Sequence, residues 1–117
     1  MATLLLLILG AFEAKAELKV KDYRKAMGSG NSMIVGTTKM YVLGLGEGME
    51  WANATVGSMK IYCQPGKLVM RMENYMQILD RKIESMSSSG NRAEIDGDDI
   101  GMVLLLGLQE TFPCAGK

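Results

Sequence analysis

The sequence predicts a small all-α domain, four helices or so, stapled by one disulfide. Three observations predict it. An unbroken apolar face recurs at helical spacing from Leu68 to Met86. Breaker clusters divide the chain into helix-length segments, at Gly28-Ser29-Gly30-Asn31, Gln64-Pro65-Gly66 and Ser87-Ser88-Ser89-Gly90-Asn91. No stretch reads as a convincing strand.

Among the 117 residues, the first sixteen read as a separate segment. Leu4 to Leu9 are continuously apolar, and Ala14-Lys15-Ala16 follows as a small-x-small site. This is the pattern of a secretory signal peptide, although no Lys or Arg precedes the apolar run. The alternative is an N-terminal core helix. Cleavage after Ala16 leaves residues 17–117 as a single domain. The apolar run is about half of the roughly twenty residues a membrane helix needs, and no stretch of the mature chain is long enough to span.

The first helix of the mature chain is expected over Val20 to Met27, with Tyr23 and Met27 inward and Lys21, Asp22, Arg24 and Lys25 in water. The second is expected from about Ser32, as its cap, to Ala54. Gly36, Gly44, Gly46 and Gly48 weaken it, and a break is expected near Gly46 to Gly48. The third starts near Pro65, whose fixed φ and missing N–H suit a first turn. Leu68, Met72, Tyr75, Met76, Leu79, Ile83 and Met86 form its buried stripe. A polar loop, Ser87 to Asp99, leads to the last helix, which Asp98 or Asp99 caps. Ile100 to Leu108 is apolar nearly all round, so this helix should be central. Pro113 stops it.

Thirteen basic and thirteen acidic residues leave no net charge, so no electrostatic attraction to nucleic acid or acidic lipid is expected. Two cysteines in an exported chain point to a Cys63–Cys114 disulfide, the alternative being two free thiols. It would close a 51-residue loop and add roughly 4 kcal/mol in the chain-entropy treatment. With no histidine, a zinc site of ordinary type is not available.

Several constellations invite chemistry and are better explained without it. Gly44, Gly46 and Gly48 have the wrong spacing for a dinucleotide loop. Asp96-Gly97-Asp98-Asp99 lacks the later ligands of a calcium loop and suits a helix cap. Met70, Met72 and Met76 could bind Cu(I), which would make the chain a metal carrier, but two of them lie on the apolar stripe. Ser87 to Ser89 have no nearby base, and Glu47 and Glu50 suit a solvated face. Asn53-Ala54-Thr55 matches a glycosylation sequon by chance. No metal, cofactor or catalytic residue is expected, and the chain reads as a binding protein rather than an enzyme.

Tyr62-Cys63-Gln64-Pro65 before one helix, and Phe112-Pro113-Cys114 after another, resemble the Rap/Tai type VI secretion immunity family. Tyr41 to Gly48, YVLGLGEG, resembles that family's Tyr/Gly-containing helix. The likeness spans Lys39 to Cys114. The absence of a Ser or Thr cap at Gly66-Lys67-Leu68 departs from the pattern. The resemblance implies a periplasmic helical protein, often a homodimer. It also implies a cognate secreted effector, commonly a peptidoglycan amidase, whose cleft the immunity protein occludes. Cys63, Pro65, Phe112, Pro113 and Cys114 carry over as structural residues; effector contacts do not. The Ser87 to Asp99 loop, with Ser88, Ser89, Asn91, Arg92 and Glu94, is the expected contact, because loops set on packed helices carry such function. The other function class is a periplasmic helical chaperone of acid-stress type, for which the lack of histidine removes a switch near pH 6.

Overall fold

A computed structural model describes residues 17–90 and 92–115. The leader assigned to residues 1–16, and Asn91, lie outside the described residues. Five helices and no strand occur among those described: α1 (Val20–Met27), α2 (Ser32–Ala54), α3 (Met72–Ser89), α4 (Arg92–Asp96) and α5 (Ile100–Thr111). A 3₁₀ turn, Gly57–Met59, lies in the long connection between α2 and α3.

α3 is the hub. It packs most extensively on α5, then on α2, and touches α4. Of its buried residues, Tyr75, Met76, Leu79 and Ile83 follow the predicted stripe, and Ile78 is buried outside it. α5 contributes Ile100, Val103, Leu104, Gly107 and Leu108 to the same core. Fully buried aliphatic side chains such as Leu79, Leu104 and Leu108 each contribute about 1.5–3 kcal/mol. The expected burial of α5 on all sides is not what forms. Met102 and Leu106 stay exposed, although α5 packs on both α3 and α2.

The helix ends differ from expectation in three places. Asn31, not Ser32, caps α2, its Oδ1 accepting from Met33 N (3.0 Å) and Ile34 N (3.2 Å). α3 begins at Met72 rather than near Pro65. Pro65 instead starts a turn closed by Leu68 N–H donating to the Pro65 carbonyl (3.0 Å), and Leu68 is exposed. Arg71 N–H donates to Asn74 Oδ1 (2.8 Å), so a third-position side chain reaches back to start the helix. The Ser87 to Asp99 segment is largely ordered as helix, since Ser87 to Ser89 complete α3 and Arg92 to Asp96 form α4. The cap of α5 is Asp99, whose carboxylate accepts from Gly101 N (2.9 Å).

α2 is unbroken through all its glycines. A Cβ on Gly46 would sit 2.5 Å from the Tyr75 ring, so this glycine lets α3 approach. A Cβ on Gly36, Gly44 or Gly48 would meet none of the described residues within 4 Å. Those three cost the helix up to about 1 kcal/mol each relative to Ala, with no contact among the described residues that requires them.

Polar clasps join the elements. Arg24 of α1 donates to Asp96 Oδ1 and, at 2.6 Å, to Ser87 Oγ. Val20 N–H donates to Asp98 O (2.9 Å) and Ile100 N–H to Leu18 O (3.0 Å). Tyr23 O–H donates to Asp80, and Tyr75 O–H to Glu50 (3.0 Å). Burial, and then the adjacent carboxylate, push both phenols well above their ordinary value near 10. The unfolded chain ionises near pH 10, whereas the folded chain holds these protons. Their stabilisation is therefore complete below about pH 10 and lost as pH rises toward the folded values. Phenolate absorbance should grow together with loss of helical circular dichroism above about pH 10. Full tyrosine ionisation with the helix signal intact would contradict this.

Candidate protein-binding surface

The connection from α2 to α3 carries apolar side chains without periodicity. Val56, Met59, Ile61, Leu68 and Val69 are exposed, as is Trp51 just before them. Met59 and Val69 keep 78% and 77% of their surface in water. Exposed apolar side chains gathered in one connection mark interaction sites more often than solvated surface.

This segment is held rather than loose. Asn53 is buried at the end of α2, and its Nδ2 donates to Tyr62 O (2.8 Å) while its Oδ1 accepts from Ile61 N (2.8 Å). Both bonds consume the carboxamide, so the sequon at Asn53 is structural in the folded protein. Cys63 N–H donates to Phe112 O (2.8 Å), and the Cys63–Cys114 disulfide joins the segment to the end of α5. Tyr62 is fully buried beneath it.

Two small depressions flank Asn53 and Tyr62. One, of about 180 Å³, is walled by Met49, Ala52, Val56, Ile61 and Leu105 and is almost wholly apolar. It has room for one aliphatic or aromatic side chain of a partner. The other, about 170 Å³, is polar, lined by Glu50, Lys60, Tyr62 and Gln64 among others. The Tyr62 hydroxyl and Gln64 Oε1 are buried there without a hydrogen-bond partner among the described residues. Burial, and then the Glu50 charge, push the Tyr62 phenol upward, so it stays a neutral donor at pH 7. The apolar socket suits an aliphatic or aromatic side chain of a partner.

The residues expected to form the contact sit elsewhere. Ser88, Ser89, Arg92 and Glu94 are exposed at the corner between α3 and α4. Their end of α3 is the far end from Met72, about 27 Å along an 18-residue helix. The Ser88 hydroxyl donates to Glu84 O and Ser85 O, and that of Ser89 to Ser85 O (2.9 Å). Beneath this corner Arg24 joins Ser87 to Asp96, and the four exposed residues themselves are polar. Part of the signal for the other surface was in the sequence: Val56, Met59 and Ile61 lie in the short stretch between Ala54 and the Gln64-Pro65-Gly66 breaker, whereas Leu68 was assigned to the helical stripe.

A third feature is an open groove of about 540 Å³ between α1, α2 and α3. Met27, Met72 and Met76 line it, with Lys39, Asp80 and Arg81 among its polar residues. Met76 is buried and Met72 half-buried, as core packing requires. Among the described residues, no group of three or more Cys, Asp or Glu is placed to hold a metal ion, and no helix is long and apolar enough to cross a membrane. In comparisons with known proteins, no family model, no curated protein and no solved structure matches the chain.

Proposed function

We propose that the protein is an immunity-type inhibitor. It is exported to the periplasm, binds a cognate type VI secretion effector, and blocks that effector's active-site cleft as a rigid plug. A peptidoglycan amidase is the effector class we assign, and the inhibitor works as a homodimer. The observation that supports binding is the apolar surface of residues 51–69, pinned by Asn53 and the Cys63–Cys114 disulfide. A preformed surface loses little entropy on association, which is what tight inhibition requires.

Inhibition of peptidoglycan cleavage tests this reading. Met59→Glu combined with Val69→Glu should weaken inhibition at least about 100-fold, the loss expected for anchor residues, without changing the melting transition. Arg92→Ala, or deletion of residues 88–91, should weaken it by roughly tenfold or less, as a polar rim does. An unchanged inhibition constant for the Met59/Val69 variant would remove the apolar end from the contact. The same exposed surface favours one other reading, a periplasmic chaperone of acid-stress type. Suppression of unrelated-protein aggregation at low pH, with no effector inhibition, would select it.

A further inference from the structure

The C-terminal end of α2 is negative. Glu47, Glu50, Trp51 and Ala54 recur at helical spacing and share one face. Neither carboxylate is in an ion pair among the described residues. The 23-residue helix has no basic residue in its last turn, so its negative dipole end adds to the two charges. A depression of about 380 Å³ lies over these four residues, and Trp51, 76% exposed, forms one wall.

That depression shares Glu50 and Ala54 with the polar one of about 170 Å³, so the two adjoin. Tyr62, only 1% exposed, lines the smaller one. Its hydroxyl and Gln64 Oε1 have no hydrogen-bond partner among the described residues. Buried polar atoms are rarely left so, and a bound group that pairs with them accounts for it. Gln64 Nε2 already donates to Leu68 O (2.8 Å), which leaves Oε1 as a bare acceptor. Glu50 stands at the junction: it accepts from the Tyr75 hydroxyl, and its charge reaches the Tyr62 phenol. Lys60 is the one basic residue among the described residues that line the two depressions.

We propose that the two depressions form one site for a guanidinium group, the head of an arginine side chain on the bound partner. A guanidinium carries five N–H donors and no acceptor, so it supplies what Gln64 Oε1 and the Tyr62 oxygen lack. Its charge complements Glu47, Glu50 and the helix end, which together outweigh the single charge of Lys60. Its planar face stacks on an indole such as that of Trp51, which a compact ammonium does less well. Leu68 of the exposed apolar connection lines the smaller depression, so this site continues the surface already assigned to partner binding. The source of the arginine rests on that reading; the chemistry of the site rests on the geometry alone.

Titration of the oxidised protein with N-acetyl-arginine N-methylamide tests the proposal, with the citrulline analogue as the uncharged isostere. Trp51 is the only tryptophan of the chain, so its emission reports on the site directly. The arginine probe should give a saturable change, half-complete near about 1 mM at low salt. The citrulline probe should bind at least about tenfold more weakly. Glu47→Gln and Tyr62→Phe should each weaken the arginine probe at least about threefold. Tyr62→Phe should nevertheless melt no lower than the parent protein, because the hydroxyl it removes has no partner to lose. Equal binding of the two probes, or no saturable change up to about 20 mM, would overturn the site. So would a Tyr62→Phe variant that melts lower and binds the arginine probe unchanged, since the hydroxyl would then serve the fold. The probe needs no effector, so failure of this site and failure of the inhibitor reading are separate results.

Discussion

Replacing Cys63 and Cys114 by serine should lower stability by about 4 kcal/mol, the largest single effect expected in this chain. The disulfide spans 51 residues, which enclose the whole of α3, α4 and α5. Without it the unfolded chain regains the entropy of that loop, worth about 4 kcal/mol in the chain-entropy treatment. A domain of this size has a total margin of only about 5–15 kcal/mol. The midpoint of thermal unfolding should therefore fall by roughly 15–30 °C. The same cysteines tie the α2–α3 connection to the end of α5, beside the Cys63 N–H to Phe112 O bond. Loss of the bridge should loosen residues 56–69 first and weaken partner binding before the helices melt. Urea titration of oxidised protein and of the double serine variant measures the difference. A loss below about 1 kcal/mol would mean that the bridge closes a loop already closed by packing.

The second large effect is expected at Gly46. Alanine there would put its Cβ 2.5 Å from Cδ1 and Cε1 of Tyr75. That ring is fully buried, and its hydroxyl is held by Glu50, so it has nowhere to turn. Over-packing of this kind costs about 1–3 kcal/mol and occasionally more, which exceeds the roughly 1 kcal/mol that alanine returns as a helix former. Gly46→Ala should be destabilised by up to about 2 kcal/mol net. Gly44→Ala, two positions away but facing outward, should be stabilised by up to about 1 kcal/mol in dilute solution. Equal effects at the two sites would show that helix propensity, not the Tyr75 contact, governs this segment.

The sequence was most legible where side chains repeat at helical spacing. Tyr75, Met76, Leu79 and Ile83 of α3 are buried as their spacing predicts, and α1 and α2 have the expected bounds. The disulfide followed from there being two cysteines. The continuity of α2 was not legible, because four glycines argue against a helix by propensity alone. Burial of Thr38, Val42, Gly46 and Asn53 along one line holds it together, and that is tertiary information. The start of α3 was misplaced because Pro65 suits a helix start and a turn equally, and only the Asn74 cap decides between them. The clasps from Arg24 to Asp96 and from Tyr23 to Asp80 join residues 72 and 57 positions apart, beyond the reach of local patterns. The apolar surface of residues 51–69 was hidden for a related reason. Periodicity assigns apolar residues to a buried face, and these have no period.

The most direct test of the central claim, that this stapled helical protein binds and blocks an effector, is calorimetric titration of the oxidised protein into the candidate amidase effector. The account predicts nanomolar binding, roughly −12 kcal/mol, that is lost with Met59→Glu and Val69→Glu. No heat and no co-elution with that effector would contradict the assigned partner.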